Sequence, residues 1–260
     1  MKTGKQIVLI GAGNLATQLG LALHKAGFDI IQVYSRTEVS AKTLAQHIGA
    51  TFTTNLTEIT PTADLYIYAL KDDVLEEVIN TVPITNGLHV HTSGSIKMSL
   101  FSKKQKNFGV FYPFQTFSKT KLVDFSEVPF LITANSDESI ENLKVIANEL
   151  SHRIFVVNDE DRSFVHLSGV FACNFTNYLY TIAEQLLAER NLPFDILMPL
   201  ITETVNKLKT LSPTEAQTGP AQRGDQLVIT KQIQLLAQNP EWQKVYQLLT
   251  ENIEPTKPIN

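Results

Sequence analysis

The feature that most constrains the fold is a glycine-rich turn near the start of the chain. Gly11-Ala12-Gly13-Asn14-Leu15-Ala16 directly follows the apolar run 7–10 and opens an amphipathic stretch. A G-x-G-x-x-G/A pattern between a strand and a helix is typical of the first βα turn of a Rossmann domain. There, Gly11 would permit the tight turn, Gly13 would admit a pyrophosphate, and Ala16 would let the helix pack closely. The alternative is an ordinary glycine turn, which the preceding strand makes less plausible.

Apolar, β-branched runs alternate with helical stretches as far as residue 157. The predicted strands are 7–10, 30–34, 65–70, 88–91, 108–112, 129–132 and 154–157. The predicted helices between them are one that ends at Gly27 and three at 40–48, 74–80 and 138–150. The last of these follows Ser136-Asp137-Glu138, whose side chains can cap its first turn. This alternation predicts an α/β fold with a doubly wound parallel sheet that is covered on both faces.

The chain changes character after residue 157, because helical patterns continue without strands between them. The predicted helices are 164–187, 194–211, 227–236 and 242–253, and the tail Pro255-Thr256-Lys257-Pro258 is expected to fray. We therefore predict a Rossmann domain at 1–157 and an all-helical domain at 158–260. The longest helix is apolar around its whole circumference, which indicates burial in the centre of the domain or against another subunit.

Composition narrows the range of partners. The 260 residues include 22 basic and 26 acidic side chains, and the basic ones are dispersed, so nucleic-acid binding is not expected and a small-molecule substrate is. One cysteine, Cys173, allows neither an intrachain disulfide nor a cysteine-based zinc site, so we predict no metal and a cytoplasmic location. The first apolar run ends at Gly11, too early for a signal peptide or membrane span.

The end of the second strand predicts the cofactor. In Rossmann domains an acidic residue there binds the ribose of NAD, whereas an arginine accommodates the 2′-phosphate of NADP. This strand ends Tyr34-Ser35-Arg36-Thr37, with a guanidinium and two hydroxyls and no carboxylate, so NADP is favoured. Alternatively, Arg36 only faces solvent. The third strand of the predicted series ends at Leu70-Lys71, where residues line the cofactor crevice, and the following Asp72 or Asp73 could cap a helix.

Candidate catalytic residues follow the next strand, in His89-Val90-His91-Thr92-Ser93-Gly94-Ser95. An imidazole there could exchange a proton near neutral pH, as hydride transfer to a C–O or C–N bond requires. His91 is the first candidate for the proton donor, and Ser93 could hydrogen-bond the substrate. Strand alternation places His89 and His91 on the same face, so the pattern does not decide between them. A histidine that is merely hydrogen-bonded at a strand end is the alternative.

Two further clusters lie in the helical region. His166, Ser168, Asn174 and Asn177 interrupt the long apolar helix. His166 and Asn174 are eight residues apart, about two helical turns, and would share one face, although internally satisfied polar groups are equally compatible with the spacing. The loop Thr218-Gly219-Pro220-Ala221-Gln222-Arg223-Gly224-Asp225 precedes a helix that Asp225 would cap, while Arg223 could bind an acidic group of a substrate.

Together these motifs resemble those of bacterial Rossmann-like NADP oxidoreductases that carry a C-terminal domain of unknown function. The glycine turn and Ser35-Arg36-Thr37 belong to a wide superfamily that includes pyrroline-5-carboxylate reductase, ketopantoate reductase and the 6-phosphogluconate/β-hydroxyacid dehydrogenases. His-x-Ser-Gly followed by Thr-Gly-Pro-x-x-Arg-Gly-Asp is narrower. The resemblance implies a homodimer formed by the helical domain. It also implies an active site between the domains, with His91, Ser93, His166 and Asn174 near the nicotinamide.

The chain departs from the family pattern at two points. Tyr112 stands before Pro113 where the family often has histidine, so an acid/base role of that histidine would fall to a tyrosine or be absent. The predicted helix 164–187 also lacks the lysine that β-hydroxyacid dehydrogenases carry there. These departures argue against an unmodified dehydrogenase mechanism of that class, and they make Tyr112 a candidate substrate-binding residue.

Two functions from different classes agree with these observations. The first is an NADPH-dependent oxidoreductase acting on a small carbonyl or imine, in which the protein orients the substrate and supplies a proton. The second is a sensor or interaction module that binds NADP without turnover. The distant resemblance alone also implies a third possibility, an enzyme that uses a flavin-like hydride partner. The glycine turn is compatible with both of the first two functions, and they differ in whether catalytic side chains come together near the nicotinamide.

Overall fold

The computed structural model describes residues 4–253, so the tail at 255–258 lies outside the described residues. Eight strands form one sheet in the order β3-β2-β1-β4-β5-β6-β7-β8. They are β1 Gln6–Ile10, β2 Asp29–Tyr34, β3 Thr51–Thr53, β4 Leu65–Tyr68, β5 Leu88–His91, β6 Asn107–Pro113, β7 Phe130–Ala134 and β8 Ile154–Val156. The predicted α/β class with a doubly wound sheet is confirmed. The short strand β3 was not predicted, because three residues give too little periodicity.

The sheet reverses its strand order between β1 and β4, which are neighbours although β2 and β3 intervene in sequence. Strands β1 to β6 are parallel to one another, so their carboxyl ends meet at one edge. Ligands of doubly wound sheets bind at such a reversal, outside the carboxyl ends of the strands. The residues after β1, β4, β5 and β6 therefore surround one candidate site.

One part of the sheet differs from the predicted parallel arrangement. Strand β7 runs antiparallel to β6, with Pro113 paired to Phe130, and β8 is parallel to β7. A parallel neighbour would need a crossover, usually a helix, whereas residues 114–129 contain none and join adjacent strand ends. The expected burial on both faces also fails at β8, the last strand, where Phe155 is 45% exposed.

Helices cover both faces of the sheet. In this part of the chain they are α1 Asn14–Lys25, α2 Glu38–Ile48, α3 Asp72–Thr81, α4 Asp137–Asn148 and α5 Asp159–Gly169. Alternate residues of β1 enter different clusters: Ile7 and Leu9 pack on one side and Val8 and Ile10 on the other. The expected start of α4 is confirmed, because the Ser136 side chain accepts a hydrogen bond from the Ser139 amide.

The chain divides into two compact units between Val170 and Phe171. The domain boundary predicted from the end of the strands lies earlier, at 157/158. The difference is helix α5, whose residues contact the sheet unit, as in the packing of Val165 with Val110 and Tyr112. The assignment of cofactor and substrate roles to the two parts of the chain stays a prediction.

The second unit consists of helices in its described residues. After a π-helical segment, Val170–Phe175, come α6 Thr176–Ala188, α7 Met198–Lys207, α8 Pro213–Ala216, α9 Pro220–Arg223, α10 Gln226–Leu235 and α11 Pro240–Ile253. Two predictions change here. The single helix 164–187 instead begins at Asp159 and contains the π segment. The supposed loop 218–225 holds the one-turn helix α9, which Pro220 favours at its first position.

Helix α6 is not buried within the described chain, contrary to one of the two expectations for it. None of its residues is buried, and Tyr178 is 52% exposed. Other large apolar side chains of this unit are also exposed, among them Phe171, Phe175, Leu200, Val205, Leu208 and Leu211. Burial against another subunit stays a prediction. No helix among residues 4–253 is long and apolar enough to cross a membrane.

Candidate functional site

The glycine turn after β1 leaves the first backbone amides of α1 open. Gly11 has φ +124°, a Cβ there would overlap the Ala69 carbonyl oxygen, and its amide donates to the Tyr34 carbonyl at 2.8 Å. The fold therefore requires glycine at this position. Gly13 is not required by packing in the same way, because a Cβ there would meet nothing within 4 Å. The absence of a side chain at Gly13 leaves open space in front of α1. No acidic residue and no side-chain cap blocks the amides of the first turn.

The other residues of the turn connect it to the core and to the segment after β6. Ala16 is fully buried, and Leu15 packs against the hydrophobic core. The side-chain Nδ2 of Asn14 donates to the Phe117 carbonyl at 3.1 Å. Phe117 also lines a groove of about 440 Å³ formed by residues 115–118 and 121–124. Asn14 is thus a point where an occupied turn and this segment would be coupled.

At the tip of β2, the polar side chains of Arg36 and Thr37 are not engaged in ion pairs or helix capping within the described chain. Arg36 is exposed and takes part in none of the ion pairs found among residues 4–253. Thr37 is the N-cap residue of α2, but its side chain accepts no capping hydrogen bond. The Ser35 amide donates to the Thr53 carbonyl at 3.3 Å, which fixes the backbone beside β3. A guanidinium and a free hydroxyl at this tip suit a phosphate group.

The segment after β4 forms the other wall of the turn. The Leu70 Cδ2 atom lies 3.2 Å from the position a Gly11 Cβ would take, so it directly borders the turn. Lys71 is exposed and is the N-cap residue of α3 without a side-chain cap. Asp72 and Asp73 lie in the first turn of α3 rather than at its cap. In the first turn their negative charges interact favourably with the helix dipole.

Both histidines of β5 are buried, which bears on their chemistry. The His89 ring lies between the Tyr68 hydroxyl (2.9 Å) and the Thr85 hydroxyl (2.8 Å) and stacks on Tyr66. Burial lowers the pKa of His89 to about 3. His91 is also fully buried, and burial, followed by the charge of Arg162, lowers its pKa to about 4. Both imidazoles are therefore neutral at physiological pH.

The turn after β5 is shaped by its own side chains. His91 Nδ1 accepts the Ser93 amide proton at 3.2 Å, so the proton of the neutral ring lies on Nε2. The Ser93 hydroxyl oxygen in turn accepts from the amides of Ser95 and Ile96, both at 3.1 Å. His91 and Ser93 therefore fix the backbone that leads to Gly94.

The side chains that meet at this edge of the sheet are Tyr112 and His166. The Tyr112 hydroxyl lies 2.9 Å from His166 Nδ1, and the two rings are in edge contact. A Cβ on Gly94 would lie only 2.5 Å from His166 Cγ, so the imidazole packs directly on this glycine. Burial raises the pKa of Tyr112 to about 12, which keeps the phenol protonated at neutral pH. His166 is half-buried, and which of the two groups donates the hydrogen bond depends on the tautomer of its ring.

Two residues at this site were not predicted from the sequence. Arg162 is fully buried and pairs with Asp159 at 2.7 Å. Arg162 Nη2 also donates to the Ile96 carbonyl, and both carboxylate oxygens of Asp159 accept from the Met98 amide at 3.2 Å. The Asp-x-x-Arg spacing puts both residues on one helix face, a signal that was available in the sequence. The backbone groups that Asp159 and Arg162 bind, however, are more than 60 residues away in sequence.

Other candidate residues lie in the second unit. Asn174 is exposed and lies within the π segment. Because a π-helix has wider turns, the eight residues from His166 to Asn174 do not correspond to two α-helical turns, and the spacing no longer predicts a common face. Arg223 ends α9 and is exposed, and the ion pairs of the described chain do not include it. Asp225 caps α10 by accepting from the Val228 amide at 3.3 Å, as expected.

No cluster of three or more metal-binding side chains occurs among residues 4–253. The groups that the candidate site offers are backbone amides, the Arg36 guanidinium and the Tyr112–His166 pair. These groups stand at the carboxyl ends of β1, β2 and β6 and on α5.

Comparison with protein families divides the chain into two regions. Residues 6–91 match the family described as NADP oxidoreductase coenzyme F420-dependent. Residues 128–253 match a domain of unknown function, DUF2520. A comparison with functionally curated proteins gave no match.

Solved structures share the fold over nearly the whole chain. A putative NADP oxidoreductase from Bacteroides fragilis is 49% identical, with a TM-score of 0.90 and coverage of 96% of this chain and 97% of that one. The imine reductase from Myxococcus stipitatus in complex with NADP⁺ is 15% identical, with a TM-score of 0.69 and coverage of 95% and 92%. The 1-pyrroline-5-carboxylate reductase of Streptococcus pyogenes is 13% identical, with a TM-score of 0.63 and coverage of 96% and 98%.

Acidification should reveal the burial of His89. Its folded pKa is depressed, so the unfolded chain binds more protons below about pH 6.5, and stability is lost as the pH falls towards about 3. We expect the free energy of unfolding to fall by about 1 kcal/mol between about pH 6 and about pH 5 through this residue alone. Urea denaturation of the wild type and of His89→Gln measures it. Carboxylate contributions cancel in the comparison, and equal slopes for the two chains would contradict the assignment.

Proposed function

We propose that this chain, which belongs to the family of NADP oxidoreductases, transfers a hydride between NADPH and a small carbonyl or imine substrate. The observation that carries the proposal is the Tyr112–His166 hydrogen bond, at the sheet edge that also bears the glycine turn. A cofactor site alone would serve a binding module, whereas a protonated phenol hydrogen-bonded to an imidazole is suited to proton transfer. The fold shared with the NADP⁺-bound imine reductase supports the same conclusion.

The residues around the glycine turn fit a dinucleotide. The space in front of Gly13 and the free amides of α1 would hold the pyrophosphate, with Leu70 and Lys71 along its wall. Ser35, Arg36 and Thr37 would hold the 2′-phosphate of NADP at the tip of β2. When bound, NADPH supplies the hydride for the reduction.

Tyr112 and His166 would supply the proton. The phenol keeps its proton at neutral pH. After that proton passes to the substrate, the phenolate would take a proton from Nδ1 of the imidazole at 2.9 Å, and the ring would regain one from solvent. His91 was the first candidate in the sequence, but its complete burial and its bond to the Ser93 amide favour a role in shaping the turn. For Asn174 and Arg223 we retain the proposal that they bind the substrate, Arg223 through an acidic group.

Arg36 should decide the choice between cofactors. Replacing it by alanine removes the only guanidinium at the β2 tip, so NADPH affinity should fall about ten- to hundredfold while NADH affinity stays unchanged. Calorimetric titration of both nucleotides measures this. Lys42→Ala, which removes another exposed cation on α2, is the matched control and should bind NADPH like the wild type. Equal losses for both nucleotides would contradict phosphate recognition by Arg36.

Turnover tests the reductase itself. With NADPH and a panel of small carbonyl compounds and cyclic imines, we expect oxidation of NADPH with at least one of them. Tyr112→Phe should lower kcat about a hundredfold or more, because it removes the phenolic proton, and leave the dissociation constant of NADPH unchanged. NADPH binding without turnover across the panel would instead support a binding module. Turnover that is unaffected in Tyr112→Phe would exclude this residue as proton donor.

The exposed apolar side chains of the second unit support a homodimer formed by the helical part of the chain. So many large apolar side chains exposed on one helical unit are typical of an interaction surface, and a second copy of the same chain is the commonest partner. The resemblance noted above implies the same arrangement. In this proposal, residues 1–157 bind NADP and residues 158–260 contribute dimer and substrate contacts.

Leu200 provides a test of the dimer. It lies on α7 and is 65% exposed, so Leu200→Asp should leave the subunit folded but bury a charge in the proposed interface. We expect a particle of twice 29.0 kDa for the wild type and of 29.0 kDa for the variant by analytical ultracentrifugation. Leu122→Asp, on a loop of the first unit and 75% exposed, is the control and should stay dimeric. A monomeric wild type would contradict the proposal.

A further inference from the structure

One face of helix α5 contacts a short segment after β5 at three successive points. Asp159 accepts from the Met98 amide, Arg162 donates to the Ile96 carbonyl, and the His166 ring packs on Gly94. Positions 159, 162 and 166 follow the i, i+3, i+7 spacing of one helix face. The segment runs antiparallel to the helix, and the three residues that make these contacts are spaced two positions apart along it. Helix α5 is thus fastened to residues 94–98 along its length.

Arg162 is the central contact of the three. Its side chain is fully buried, and its guanidinium joins Asp159 on its own helix to the Ile96 carbonyl on the segment. Taking a charge out of water is costly, and a buried ion pair often contributes no more stability than apolar residues of the same size. Stability alone therefore gives a poor account of an arginine at this position. Its planar fork, which directs donors to two acceptors at once, gives a better one.

We propose that Arg162, with Asp159, is a positioning residue that sets the place of the His166 imidazole over Gly94 and within hydrogen-bond distance of Tyr112. The proposal rests on the proposed function, because it assigns these contacts to proton transfer. His166 follows Arg162 by four residues, one turn of the same helix, so any shift of Arg162 along the segment moves the imidazole with it. A displacement of about 1 Å at a reacting group is enough to lower a rate a hundredfold.

The same guanidinium also acts electrostatically on the surrounding groups. Its charge lowers the pKa of both Tyr112 and His91, opposing the effect of burial on the tyrosine. The carboxylates that oppose this charge are Asp72 for Tyr112 and Asp159 for His91. In this proposal, the Arg162 side chain both sets the position of His166 and supplies a positive charge to the surrounding groups.

The test separates position from charge. Arg162→Lys keeps the cation beside Asp159 but cannot reach both acceptors with a fixed fork. Nitrogen and carbon NMR of the histidine side chains, with His166 assigned by the loss of its signals in His166→Asn, reports the imidazole without NADPH or substrate. Tyr112→Phe shows the spectrum when the hydrogen bond is missing. In Arg162→Lys we expect the His166 signals to move in the same direction, and kcat to fall at least tenfold with the NADPH dissociation constant unchanged.

A matched control is the ion pair Lys144–Glu141 on α4, which has the same i, i+3 spacing but is exposed. Lys144→Met should leave the His166 signals where they are. Asp159→Asn, which retains an acceptor for the Met98 amide, is the second variant and should move these signals as Arg162→Lys does.

The outcomes distinguish this proposal from the proposed function. Unchanged His166 signals in folded Arg162→Lys would overturn the positioning role, even if the enzyme is active. Global unfolding of both variants would also overturn it, because the pair would then hold the unit as a whole. Shifted His166 signals in a chain that binds no NADPH would support the positioning of His166 and contradict the reductase.

Discussion

The contact between the turn after β1 and the backbone after β4 determines the arrangement of the whole site. Gly11 lies so close to the Ala69 carbonyl that a side chain would not fit. This contact exists because β1 and β4 are neighbours at the point where the strand order reverses. The reversal opens a crevice between segments that leave the sheet in opposite directions. The glycine turn, the β2 tip and the turn after β5 all border the sheet edge that it creates.

A second constraint acts on the segment that follows β5. The segment after β5 has no regular structure at residues 92–97 and is held by side chains: His91 and Ser93 from within, and Asp159 and Arg162 from α5. These hydrogen bonds fix one conformation of the segment's backbone, although two buried nitrogens of the same group, His91 Nε2 and Arg162 Nε, have no hydrogen-bond partner among the described residues. The imidazole of His166 rests on that conformation, because its ring packs directly on Gly94. The glycine turn and the Tyr112–His166 pair are therefore held in place by different interactions on one sheet.

The π segment at Val170–Phe175 shows where helical periodicity misled the prediction. The apolar pattern of residues 164–187 is continuous, so nothing in it signals the wider turns that break the register between His166 and Asn174. The apolar circumference of the same region predicted burial in the centre of the domain or against another subunit. The first alternative is wrong, because no residue of α6 is buried in the described chain, and the second stays a prediction. A pattern of this kind reports that a surface has to be covered, and it does not identify what covers it.

The sequence by itself determined the parts of this protein that depend on neighbours along the chain. The glycine turn, the polar tip of β2, the caps Ser136 and Asp225, and the alternation of strands and helices all follow from local conformational preferences and spacing. Only the tertiary structure decided which histidine is accessible, how β7 is oriented, and that Arg162 lies beneath the turn after β5. These outcomes rest on contacts between residues about 20 to more than 60 positions apart, as in Tyr112 with His166 and Asp159 with Met98. Burial and pairing at such separations are properties of the packed chain, because no local pattern records which segments will meet.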